Sequence, residues 1–97
     1  MARGPEAVVK DAVKKELTAR GIWYYMPVQN GMGVVGIPDF ICCWQGRMLA
    51  IETKAPGKRG NTTANQDRHI ANIQAAGGIA LVVDDIEQLR SCLHVKE

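Results

Sequence analysis

Three residues of this chain can do chemistry together: Asp39, which follows Pro38, and Glu52 and Lys54, thirteen and fifteen residues further on. Side chains two apart on a β-strand project from one face, so Glu52 and Lys54 point together while Leu49, Ile51 and Thr53 point the other way. Glu52 thus extends from the end of an apolar strand beside an ammonium, where a plain surface carboxylate has no need to be. Hairpin pairing of the strands over 40–44 and 48–53 would bring Asp39 close to that end. Two carboxylates at one point repel each other unless a cation lies between them. Hard oxygen ligands suit Mg2+ or Mn2+, which usually retain waters and bind substrate phosphate. Such a cation lowers the pKa of a water and stabilises charge on an attacked phosphorus. For Lys54 we favour positioning and electrostatics over loss of its proton to act as a base.

The elements that must hold these groups can be read from periodicity and punctuation. Gly4-Pro5 opens a helix, Val9, Ala12, Val13 and Leu17 give it one apolar stripe, and Gly21 ends it. An aromatic, β-branched strand is predicted over 22–28, closed by Pro27 and the glycine-rich segment 31–36. The strands over 40–44 and 48–53 form an antiparallel hairpin through Gln45-Gly46, but their register does not follow from the sequence. A loop over 55–61 precedes the capping box Thr63-x-x-Gln66, and Ile70 and Ile73 give the next helix its inner face. Gly77-Gly78 stops that helix. A buried strand is predicted over 79–83, and Asp85 caps a last helix carrying Ile86, Leu89 and Leu93. The order α-β-β-β-α-β-α predicts an α/β fold, a mixed central sheet flanked by helices.

Ninety-seven residues make one domain, 1–97, with an apolar fraction of 46% that suits a folded chain. A net charge of +2 does not by itself announce a nucleic-acid binder, although Lys54, Lys58, Arg59 and Arg68 fall within fifteen residues. Cys42, Cys43 and Cys92 have no metal spacing and read as reduced and structural, which predicts an intracellular protein. No membrane segment or secretion signal is expected.

The arrangement G-I-P-D at 36–39 with I-E-T-K at 51–54 resembles the PD-(D/E)xK nuclease motif. More narrowly, the chain resembles the virus-type replication–repair nuclease (VRR-NUC) domain over nearly all its length, including helix one, the Asn30-Gly31 loop, the motif hairpin and Gln66. That resemblance implies a restriction-endonuclease-like core and a Mg2+- or Mn2+-dependent endonuclease acting on DNA. It implies catalytic roles for Asp39, Glu52, Lys54 and Gln66. It implies a metal site of Asp39, Glu52 and the carbonyl of Thr53, completed by Glu6. Glu6 also lies on the apolar stripe of the first helix, although an acidic first-turn residue facing the helix dipole accounts for it equally well. Gln66 has a complete alternative role as the capping-box residue, and one side chain serving both purposes is not expected.

Lys58, Arg59 and Arg68 flank the site and can contact phosphates; each can also be a solvated surface residue. Trp23, Tyr24, Tyr25 and Trp44 are expected in the core rather than stacked on bases. His69 and His94 read as ordinary helix-surface residues. Gly31-x-Gly33-x-x-Gly36 matches the dinucleotide fingerprint in letters only, since Pro38 and a strand follow where a helix must open, so no nucleotide cofactor is expected. The rival readings are a non-catalytic nucleic-acid-binding or assembly module, and a restriction-type endonuclease. The short chain, its aromatic strand and the habit of stand-alone members of the resembled family predict a homodimer. Two-fold symmetry makes branched DNA, such as a four-way (Holliday) junction, the favoured substrate.

Overall fold

The computed structural model describes residues 4–28 and 34–94. Its elements are α1 Pro5–Ala19, β1 Trp23–Tyr25, β2 Phe40–Trp44, β3 Arg47–Thr53, α2 Ala64–Ala75, β4 Ile79–Val83 and α3 Ile86–Leu93. This is the α-β-β-β-α-β-α order that the sequence predicts. The sheet runs β1-β2-β3-β4, antiparallel in its first two pairings and parallel in the last. Gln45 and Gly46 turn the β2–β3 hairpin, both at positive φ (51° and 77°), a geometry that matches the twist of paired strands. A parallel neighbour cannot be reached by so short a turn, and α2 supplies the crossover from β3 to β4.

Both glycine-ended helices close in the same way. Gly21 donates to the Thr18 carbonyl and Ile22 to that of Leu17; Gly77 donates to Gln74 and Gly78 to Ile73. These paired bonds satisfy carbonyls at the helix ends, and they need the left-handed backbone that Gly21 and Gly77 adopt. Arg47 donates twice to the Gly77 carbonyl, tying the hairpin to the end of α2.

The core lies on one face of the sheet. Val9, Val13 and Leu17 of α1 and Leu89 and Leu93 of α3 pack on Phe40, Cys42, Leu49, Ile51 and Val83. Glu16 holds the two helices together by accepting hydrogen bonds from Arg20 (2.7 Å) and Arg90 (3.0 Å). The opposite face is covered unevenly, because α2 packs chiefly on β4. No helix among the described residues is long and apolar enough to cross a membrane.

Three expectations need correction. The first aromatic strand spans Trp23–Tyr25 rather than 22–28, pairing only with Ile41–Cys43. Extension would set Pro27, which has no N–H, beyond the end of β2. Nor are all its aromatics in the core. Tyr24 packs on Phe40 with ring centroids 5.6 Å apart, but Trp23 and Tyr25 are 63% and 52% exposed. Alternation sends those two to the uncovered face. The third correction concerns β4, which is an edge strand with only Ala80 and Val83 fully buried.

Candidate active site

The β2–β3 register decides whether the two carboxylates meet. Phe40 pairs with Ile51, so Asp39, one residue before β2, stands opposite Glu52. Asp39 Oδ2 accepts two hydrogen bonds from Thr53, one from its N–H (3.0 Å) and one from its hydroxyl (2.6 Å). Thr53 is fully buried, so this clamp locks the Asp39 side chain to the end of β3. Thr53 thus positions Asp39 through two donors.

Glu52 is only 3% exposed. Its Oε2 accepts a hydrogen bond from Gln66 Nε2 (3.0 Å) and lies 3.7 Å from Lys54 Nζ. Its Oε1 is buried and, among the described residues, has no hydrogen-bond partner. Burial above all, with the charge of Asp39 next, pushes the Glu52 carboxyl up to about 7; Glu6 adds to the rise, while Lys54 and Lys10 oppose it. A buried carboxylate oxygen without a donor is destabilising, and an unpaired buried charge more so.

Gln66 both completes the capping box of α2 and donates to Glu52. Its Oε1 accepts from the Thr63 N–H (2.9 Å), and its own N–H donates to Thr63 Oγ1 (3.2 Å), completing the capping box. An amide has two ends, and with the oxygen used in the cap its NH2 is left to face Glu52. The cap therefore orients the donor that holds Glu52.

Gly36 explains why the glycine segment approaches this place. Its φ is +84°, and a Cβ there would lie 2.7 Å from the backbone carbon of Asn65 and 2.8 Å from the Gln66 nitrogen. The loop backbone thus rests directly on the first turn of α2. Asn30, Gly31 and Gly33 lie outside the described residues. Gly36→Ala must displace backbone and adopt a disfavoured φ, so it is expected to lower stability by about 2–4 kcal/mol. Urea denaturation measures this directly, and a loss below about 0.5 kcal/mol would contradict the contact.

Glu6 is near the site but not buried. Its side chain is 48% exposed, on the open first turn of α1, and its Oε2 lies 3.9 Å from Lys10 Nζ. Lys10 also lies 3.8 Å from Asp39 Oδ1. Sequence reasoning missed Lys10, although its i,i+4 spacing from Glu6 was a usable signal.

The basic residues divide. Lys58 and Arg68 are exposed. Arg59 instead anchors its own loop: its Nε donates to the Val82 carbonyl (2.8 Å), and its N–H to Asp84 Oδ2 (3.1 Å). Asp84 also accepts from the Gly57 N–H, so one carboxylate shapes the loop over 55–61. Its partners, Gln88 first, hold the Asp84 carboxyl below the usual range. This role too was missed, since Asp84 was overshadowed by the adjacent cap Asp85. His69 is not an ordinary surface residue, because its Nε2 is buried and, among the described residues, has no hydrogen-bond partner. It lines a groove of about 410 Å³ between α2 and the hairpin.

The donor set fits a hard divalent cation. Glu52 Oε1 needs a positive partner, and Asp39 stands opposite with its Oδ1 beyond hydrogen-bond reach of Lys10. Among the described residues, no group of three or more His, Cys, Asp or Glu is placed to hold a metal ion, so Glu6 is not gathered with Asp39 and Glu52 into one three-acid site. Mg2+ and Mn2+ do not require one, since one or two carboxylates and several waters suffice. No protein-family model matches the chain, and none of the curated proteins or solved structures compared with it does. The functional reading therefore rests on the site itself.

Proposed function

We propose that this chain is a Mg2+- or Mn2+-dependent endonuclease of the PD-(D/E)xK type, similar to VRR-NUC domains, that hydrolyses DNA phosphodiester bonds. The observation that carries the reading is the buried, half-unpartnered Glu52 carboxyl facing Asp39, with Lys54 3.7 Å away. A non-catalytic binding module has no reason to keep a buried acid in that condition.

Asp39 and Glu52 would hold the cation, with Glu6 and the Thr53 carbonyl as the further ligands that the resemblance implies. When bound, the cation supplies Lewis acidity to a phosphoryl oxygen and to a water. Thr53 fixes Asp39 through two hydrogen bonds, and Gln66 fixes Glu52 through one. Lys54, on the same strand face as Glu52, orients the attacking water and offsets negative charge developing at phosphorus. Lys58 and Arg68 would meet the DNA backbone, while Arg59 acts mainly by shaping the loop that presents Lys58.

The same proposal includes a homodimer. Trp23, Cys43 and Met48 form an exposed cross-strand row, with Tyr25 beside it. Exposed aromatic and thioether groups on an uncovered sheet face favour burial against a second copy. A two-fold dimer carries two identical sites and matches the symmetry of a four-way junction. Light scattering should report twice the 10.6 kDa chain mass. Labelled four-way junctions should be cut in Mn2+ faster than linear duplex of equal length and sequence, and not at all in excess EDTA. Cleavage undiminished by EDTA would overturn the metal reading. Equal rates on both DNAs would overturn only the substrate preference, and a monomeric mass with full activity only the dimer.

A further inference from the structure

We infer that Lys10 is a competitor built into the site: its ammonium occupies the acidic cleft in place of a divalent cation and sets how tightly that cation is held. The inference rests on the metal site proposed above. Lys10 Nζ lies 3.9 Å from Glu6 Oε2 and 3.8 Å from Asp39 Oδ1, so one ammonium spans the acid on helix α1 and the acid that precedes β2. Both distances exceed a hydrogen bond but remain ion pairs, the geometry of a charge held between two anions rather than bound to either.

The helix dictates this placement. Glu6 and Lys10 are one turn apart on the same face of α1, and that face continues into Val13 and Leu17, which are buried against the sheet. Lys10 therefore cannot leave the cleft by rotation of the helix. Its side chain is 30% exposed, and its flexible stem lets the ammonium swing outward when a divalent ion takes its place. Lys54 cannot perform this role equally well, since it is less exposed and lies beside Glu52. Cation entry must then replace two ion pairs made by Lys10. Glu6 shares that ammonium with Asp39, so a metal drawing on Glu6 must displace it.

The test is Mn2+ binding by calorimetry to the full chain, with thermal melts to show that each variant folds. Lys10→Met removes the competing charge but keeps the length and apolar character of the stem. It should bind Mn2+ about three- to tenfold more tightly than the parent chain, an order of magnitude set by screened pairs at these distances. Lys10→Arg should retain the parent affinity. Lys15→Met, which makes the same net-charge change on an exposed part of α1, should also leave it unchanged. Binding by Lys10→Met where the parent chain is silent would support the inference in its strongest form. Equal or weaker affinity of Lys10→Met would overturn it while leaving the metal site standing. Silence of both proteins would overturn the inference together with the metal reading. Equal tightening by Lys15→Met would reduce the effect to net charge and overturn the competition.

Discussion

Replacing Asp39 by asparagine or Glu52 by glutamine is expected to lower metal-dependent DNA cleavage by about a thousandfold or more. Each substitution keeps the shape of the side chain and removes one of the two charges that face each other at the ends of β2 and β3. Loss of a cation's contribution is worth several kcal/mol of transition-state stabilisation, and about 4 kcal/mol corresponds to three orders of magnitude. In Asp39→Asn the amide oxygen can still accept from the Thr53 N–H and hydroxyl. In Glu52→Gln the amide oxygen can still accept from Gln66, so the fold should survive both changes. Single-turnover cleavage in Mn2+, with circular dichroism as the control, measures the effect. Retention of more than a tenth of the parent rate by either variant would refute the assigned roles. Lys54→Ala belongs to the same series but should differ in kind. It should bind Mn2+ and cut slowly, by about a hundredfold, because it removes electrostatic positioning and not a ligand.

The second large effect concerns stability, and it runs opposite to the first. The Glu52 carboxyl titrates near 7 in the fold, against 4.5 ordinarily, chiefly because it is buried. The native state thus holds this proton more tightly than the unfolded chain does. Its contribution is fully present below about pH 4.5 and is lost as pH rises through about 7. The difference corresponds to about 3 kcal/mol over that window. Glu52→Gln has no such proton to lose. In metal-free buffer it should equal the parent chain near pH 4.5 and exceed its stability by about 2–3 kcal/mol at pH 8. Urea denaturation at the two pH values measures this, and a Glu52→Gln variant less stable than the parent at pH 8 would refute it. Mn2+ should recover part of the parent's loss at pH 8, because an ion bound only by the native state stabilises it.

Glu16 acts in the reverse sense. Hydrogen bonds from Arg20 and then Arg90 hold its carboxyl below the ordinary value, so its contribution is present above pH 4.5 and fades as pH falls through the lowered value. The metal-free protein therefore loses Glu16's contribution in acid and Glu52's as pH rises from about 4.5 through about 7.

Much of the fold was legible in order and punctuation. Glycines at 21, 77 and 78, the Thr63–Gln66 box and the cap Asp85 ended or opened helices where expected, because each acts through backbone groups a few residues away. The β2–β3 hairpin was legible for the same reason. The aromatic strand was less so. Its three aromatic residues look alike in sequence, but alternation and uneven helix coverage bury Tyr24 and expose Trp23 and Tyr25. His69 shows the limit from the other side: a histidine on a helix gives no sign that α2 will bury its Nε2.

The sequence by itself determined which residues bear charge, which segments form helices and strands, and that Glu52 and Lys54 share a strand face. Those properties depend on residue type and short spacing, which backbone geometry converts directly into direction. Only the tertiary structure decided that Asp39 stands opposite Glu52, that Gln66 reaches Glu52 while capping its helix, and that Lys10 lies between Glu6 and Asp39. Each of these depends on strand register or on how a helix docks against the sheet. A one-residue slip of β2 on β3 would change every cross-strand partner while leaving the sequence signals intact, and only packing of the buried face rules it out.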